Sequence, residues 1–288
     1  MAALASSAQD RSPNLLVRLL ARPTAAAGLV VITLVVLAAI FAPLLTPHSP
    51  SQLSIVNRLT APSSQFWLGT DELGRDILTR VLYAGQTSLS VAFSVVIVSS
   101  LIGIVLGLVA GFFRKADAPV SRVIDAMMAF PDILLAIALV AALGASAFNV
   151  VLALGIVYAP RMARVVRAST LVIRELPYVE AARALAVPTP IILVRHVLRN
   201  VTSPLLVQGT FIFAQAILAE AGLSFLGVGI SPDIPTWGTM ISAGRQFMNS
   251  ASWLLLYPGL AIVITVLALQ LLGDGLRDLL DPRLAKDI

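Results

Sequence analysis

Few side chains in this sequence could do chemistry, and their types and spacing narrow what that chemistry is. There is no Cys, and the two His, His48 and His196, lie far apart, so thiolate metal sites, a cysteine nucleophile and a local His-based metal motif are excluded. No G-x-x-x-x-G-K-[ST] or H-E-x-x-H pattern occurs, which removes P-loop nucleotide binding and zincin chemistry. Gly222-Leu-Ser-Phe-Leu226 lacks the closing Gly of a G-x-S-x-G elbow, and nothing in the sequence sets either His beside Ser224 as a base. What remains is charge in unusual places. Asp132 and Glu220 stand within apolar stretches, where an acid usually faces a bundle interior or a water-filled cavity. Asp132 follows Pro131 and reads first as a cap or kink. Glu220 faces either a polar pathway or interfacial water, and on the first reading Glu220→Gln alters its function or its pH dependence.

The elements that must position these residues follow from composition. The chain has 288 residues, 58% hydrophobic and only 12% charged, about half the charged share of a soluble domain. That leaves too little polar surface for a soluble globule of this length, so the chain is expected to be an all-α membrane protein. A spanning helix needs about 20 apolar residues. Six spans fit, at residues 25–45, 87–112, 121–143, 150–166, 203–226 and 253–273, leaving a start at 1–24, an outer segment at 46–86, a loop at 167–202 within a core of 87–273, and a tail at 274–288. The first is too long for a secretory h-region and lacks a small-residue cleavage site, so it reads as uncleaved.

Lys and Arg gather on cytoplasmic flanks. With both termini inside, all of the 20 basic residues except Arg58, Arg75, Arg80 and Arg245 fall on the cytoplasmic side. Arg161, Arg164, Arg167, Arg174, Arg183, Arg195 and Arg199 crowd around one loop there. The net charge of +5 is thus read as membrane orientation, with lipid and not nucleic acid as the surrounding partner.

Inside that loop, Pro177 can open a helix that ends before Pro188, and Thr189-Pro190 then opens a second short helix toward Asn200. Ala181 and Ala182 present little side chain, so another protein's backbone could approach there. In the outer segment, Thr70-Asp71-Glu72-Leu-Gly-Arg75-Asp76 reads as a cap with acids in the first turn of an amphipathic helix that carries Arg80. It is either an interfacial helix, the lining of an outer mouth, or both. Gly103, Gly107 and Gly111 form overlapping G-x-x-x-G units that favour close helix packing, against this chain or a partner.

The loop resembles the cytoplasmic coupling motif of ABC importer permeases, written Glu-Ala-Ala, three residues, Gly, nine residues, Ile, one residue, Leu-Pro. Glu180, Ala181, Ala182 and Leu198 match, while Ala186, His196 and Arg199 replace the Gly, Ile and Pro. Glycine enters a left-handed bend cheaply and alanine does not, so Pro188 and Pro190 are expected to force the bend. Gly69-Thr-Asp-Glu-Leu-Gly-Arg-Asp76, Ala129-Phe-Pro-Asp132, Glu220-Ala-Gly-Leu-Ser-Phe-Leu-Gly227, Trp237-Gly238 and Leu272-Gly-Asp-Gly-Leu-Arg-Asp278 with Asp281-Pro-Arg283 extend the resemblance to the C-type permeases for dipeptides, oligopeptides and nickel.

The resemblance implies a type I importer fold in a bacterial plasma membrane, working by alternating access. It also implies a second, B-type permease as partner, one or two ATPase proteins that bind ATP and Mg at two sites, and an extracytoplasmic substrate-binding protein. The chain itself would hold no cofactor or metal and hydrolyse nothing. Its loop, through Glu180 and neighbours including Arg195, would dock on the ATPase. Dipeptides or oligopeptides are the expected substrates, with nickel, haem and glutathione as alternatives. A channel or secondary carrier is the rival of another class, though it would not need the long docking loop.

Overall fold

The structure, a computed structural model, describes residues 19–280. Arg11, Arg18, Asp281, Arg283 and Lys286, used above to sort the two faces or to mark the tail, lie outside those residues. Among the described residues the only pairing of strand type is a single bridge between Thr70 and Asp76. The helices are α1 (Pro23–Ile40), α2 (Ala42–Leu45), α3 (Ile77–Phe112), α4 (Arg114–Met128), α5 (Asp132–Leu143), α6 (Ala147–Ile173), α7 (Pro177–Ala184), α8 (Thr189–Ile191), α9 (Arg199–Phe225), α10 (Trp237–Gly244) and α11 (Trp253–Leu280). Five helices are long and apolar enough to cross a membrane, and α4 with α5 makes a sixth, bent crossing.

Four expectations about elements change. The first span is divided, because α1 stops at Ile40 and a new turn with proline in its opening positions begins at Ala42. The second begins ten residues earlier than read. Asp76 accepts hydrogen bonds from the Thr79 backbone N–H at 2.9 Å and its hydroxyl at 2.6 Å, and caps a helix of 36 residues. The amphipathic stretch is therefore not a separate interfacial helix but the first turns of α3, which at about 54 Å is much longer than the hydrocarbon layer. The third span breaks by 92° between α4 and α5. Pro131 stands there in extended backbone, lacks an N–H and disfavours a helical residue before it. The short helix expected after Thr189 is no separate element either: it passes through a π-helical stretch at Ile192–Leu198 straight into α9.

Helices α3 and α6 run side by side in the same direction, and glycine sets their distance. A Cβ on Gly103, Gly107 or Gly111 would lie 2.5, 2.5 and 2.6 Å from the side chains of Met162, Val166 and Thr170. The G-x-x-x-G neighbour is thus a helix of this chain. Gly155 returns the arrangement, its absent Cβ leaving room for Val98.

Helices α1 and α11 run antiparallel, with Gly28 against the Ala268 carbonyl, Gly275 against Ala25, and Arg22 paired to Asp278 at 3.1 Å. Both limits of the described chain therefore stand at one end of the bundle. That end also holds the close of α3 and the 174–198 loop, since Arg174 donates to the Gly111 carbonyl at 2.7 Å. The opposite end holds residues 41–76 and 226–252, joined by the Trp253 indole N–H donating to the Thr70 carbonyl at 3.1 Å.

Candidate functional site

At the end that carries the chain limits, Leu176 is extended and Pro177 fills the first turn of α7. Val179 and Ala182 are buried against the bundle, while Glu180, Ala181, Arg183 and Ala184 are exposed. This corrects the reading of the alanine pair, because only Ala181 offers a bare surface. The helix closes in a Schellman arrangement: the Val187 N–H donates to the Ala182 carbonyl and the Ala186 N–H to the Arg183 carbonyl, both at 3.0 Å. Ala186 takes the left-handed conformation that this closure demands, with φ +55°. The bend stands where the family pattern has glycine, and alanine bears it. Pro188 follows in extended backbone and starts the second arm.

The two arms are laced together. The Tyr178 and His196 rings lie 6.1 Å apart, and the Asn200 amide donates to the Tyr178 hydroxyl at 3.2 Å and to the His196 carbonyl at 2.6 Å. Arg195 points to solvent and Leu198 is half-buried. The segment is also fastened to α3. The Arg183 guanidinium lies 4.6 Å from the Phe112 ring centre, next to the Arg174 bond to Gly111. α7 is therefore tied directly to the end of α3.

At the opposite end, residues 70–76 form a tight turn and not a first helical turn; Thr70 is no cap. Asp71, only 3% exposed, accepts from the Leu73 and Arg75 backbone N–H groups at 2.9 Å and from Arg75 Nε at 2.6 Å, with Arg80 Nε at 3.5 Å. Gly74 at φ +70° brings the turn against the Ser54 carbonyl, where a Cβ would not fit. Asp71, Arg75, Asp76 and Arg80 thus hold the outer segment to α3; Asp71, Asp76 and Arg80 are buried, while Glu72 and Arg75 keep partial access to solvent.

Glu220 is 1% exposed. Its Oε1 accepts from the Ser224 hydroxyl at 2.7 Å and the Thr236 hydroxyl at 2.9 Å. Thr236 also caps α10 in a capping box with Thr239, and the Trp237 N–H donates to the Ser88 hydroxyl at 3.1 Å. Glu220 is thus enclosed where α9, α10 and α3 meet, and it lines no open cavity in this conformation. Sequence does not pair Thr236 with Glu220 or Ser88 with Trp237, because the partners lie 16 and 149 positions apart.

Asp132 lies in the first turn of α5 and pairs with Arg161 of α6. Arg161 also donates to the Gln215 side-chain carbonyl on α9 and lies 5.5 Å from the Tyr158 ring centre. Arg164 pairs with Asp125 at 2.8 Å and Arg167 with Asp117 at 2.6 Å. Three arginines assigned to a cytoplasmic cluster are therefore helical residues matched by the acids of the bent span. Their spacing of three, on one side of a helix, was the available signal.

Residues 103–286 match the family described as binding-protein-dependent transport system inner membrane component. Residues 15–62 match the N-terminal TM domain of oligopeptide transport permease C. The chain belongs to this permease family. A putative peptide transport system permease protein of Brucella suis is 48% identical over 93% of this chain and 90% of its own length. The dipeptide transport system permease protein of Alkalihalophilus pseudofirmus is 46% identical, over 89% and 85%. The glutathione transport system permease protein of Pectobacterium atrosepticum is 44% identical, over 90% and 86%. The chain is a C-type permease subunit of an ABC importer, a multi-pass membrane protein of the class that works with a partner permease, ATPases and a substrate-binding protein. The permease match takes in α7, the Asp132 rung and Glu220; the other takes in α1 and the start of the outer segment.

Proposed function

We propose that this permease subunit imports peptides across a bacterial inner membrane as one half of a heterodimer with a B-type permease. Both termini and the 174–198 segment face the cytoplasm, and residues 41–76 face the binding protein. One or two ATPase proteins bind ATP and Mg and hydrolyse the nucleotide; the chain itself carries neither. Closure of the ATPases pushes on Glu180 and Ala181, and α7 passes the push to α3, which drives the bundle between inward-open and outward-open states. Asp132 lies on the pathway, while Glu220 clamps the outer ends of α9 and α10 from behind it.

The observation that carries this reading is α7 itself: a short helix with a buried inner side, an exposed Glu180-Ala181 side and Arg183 stacked on Phe112 of α3, next to the bond from Arg174, at the end of α6, to Gly111. The names of the Brucella suis and Alkalihalophilus pseudofirmus relatives support a peptide substrate over nickel or haem, and that of the Pectobacterium atrosepticum relative keeps glutathione as the second reading. The experiment is peptide uptake by the complete importer in vesicles, with Glu180→Ala beside wild type. The variant is expected to insert normally but to lose ATPase association, or to hydrolyse ATP without import. Wild-type uptake by a well-expressed Glu180→Ala importer would sink the coupling role. Binding of di- and oligopeptides, glutathione, nickel complexes and haem to the cognate binding protein decides the substrate.

A further inference from the structure

One rung of the charge ladder differs from the other two. Arg164–Asp125 and Arg167–Asp117 lie nearer the coupling end of α6, where their exposure to water is unremarkable for charged groups. Arg161 lies about 21 Å from the start of its 27-residue helix, deep in the span. It immediately follows Pro160 and engages two other helices, through Asp132 and Gln215. Tyr158 supplies a ring beneath the guanidinium and donates its hydroxyl to the Gln215 carbonyl at 3.4 Å. Ile133, Leu154 and Leu218 form apolar walls around this polar floor. The pair is nevertheless open, with 31% of the Arg161 side chain and 33% of the Asp132 side chain exposed. A charged pair at such depth is costly unless it serves a cavity or a pathway.

Resting on the reading of the chain as a peptide importer, we infer that this recess is a transit station for the free α-carboxylate of the passing peptide, which Arg161 takes in exchange for Asp132. A guanidinium offers a planar fork that fits a carboxylate through two N–H donors. Gln215 and Tyr158 hold the fork in place by a hydrogen bond and by the ring face. Asp132, released by the exchange, meets the positively charged end of the same peptide. Because one carboxylate replaces another on Arg161, the guanidinium keeps a charged partner throughout and the internal acid competes with the substrate. The station is consequently weak, which transport requires: a site must be entered and then left.

The test uses the complete importer in vesicles with saturating binding protein, presented with a dipeptide or its C-terminally amidated analogue; uptake is measured per ATP hydrolysed. The wild type is expected to favour the free acid by about tenfold, since the amide offers Arg161 no charged oxygen with which to displace Asp132. Arg161→Gln is expected to bring the two peptides within about twofold of each other by removing the charge. Asp132→Asn removes the competitor and is expected to widen the preference and lower the half-saturating concentration of the acid. An acid-to-amide ratio that is the same in the wild type and Arg161→Gln overturns the proposal. So does an equal loss of both peptides in both variants, which would make the rung a brace. A wild-type importer that moves neither peptide refutes the peptide reading, and this proposal falls with it.

Discussion

Ala186 carries a conformation that its side chain resists. A non-glycine residue in the left-handed region costs roughly 1 kcal/mol, and here the Schellman closure of α7 imposes it. Ala186→Gly is expected to stabilise the coupling segment by about that amount, read as slower amide exchange at Ala186 and Val187; unchanged or faster exchange would contradict the strain. Glu220 makes a second point at this scale. Both hydroxyls donate to one carboxylate oxygen, which the carbonyl of an amide can replace. Glu220→Gln is therefore expected to keep thermal stability in detergent, whereas Glu220→Leu strands two donors and costs roughly 1–3 kcal/mol; equal melting temperatures would remove the clamp. Pattern alone identified a bend ahead of Pro188 and the acid in the span. The expectation that Pro188 and Pro190 force the bend fails, since Ala186 itself takes the left-handed conformation. Nor could pattern show that Ala182 turns inward or that Thr236 answers Glu220, because burial and partnership arise between segments distant in sequence.

At the level of elements, α3 and α6 form the most extensive helix pair of the bundle, with α9 packed against both. Gly107→Leu forces a branched side chain where a single Cβ would already lie 2.5 Å from Val166. The expected result is loss of folded protein or a lower melting temperature, in keeping with overpacking costs of roughly 1–3 kcal/mol for smaller insertions. Gly259, with open space at its Cβ, is the control: Gly259→Ala should be nearly neutral. If Gly107→Leu behaves like Gly259→Ala, the close pairing is wrong. The number and rough position of the crossings were legible from apolar runs. Their joints were not, since hydropathy does not distinguish a straight span from one broken at Pro131, nor see that nothing between Ile77 and Thr87 interrupts a helix.

For the whole molecule, the two ends of the bundle divide the chain as the basic residues divide it, with Arg58, Arg75, Arg80 and Arg245 together at one end. Single cysteines at Val56 and Leu185, both highly exposed and at opposite ends, test this in a chain that has no native Cys. In cells with an intact plasma membrane an impermeant maleimide that reaches its outer face should label Val56→Cys, and Leu185→Cys only after lysis. The reverse pattern would invert the topology proposed here.

The pairing of α1 with α11 has a consequence for how the protein is made. α1 is the first of the described helices to leave the ribosome, yet most of its neighbours are on α11, the last of them. Gly28 and Gly275 let the two backbones meet, so the earliest span waits for the latest before its side against the bundle is covered. A chain released before residue 253 leaves that side open to lipid or to quality-control proteases. Completion of the bundle thus depends on residues 253–280, and a copy without them carries an exposed mark of being unfinished.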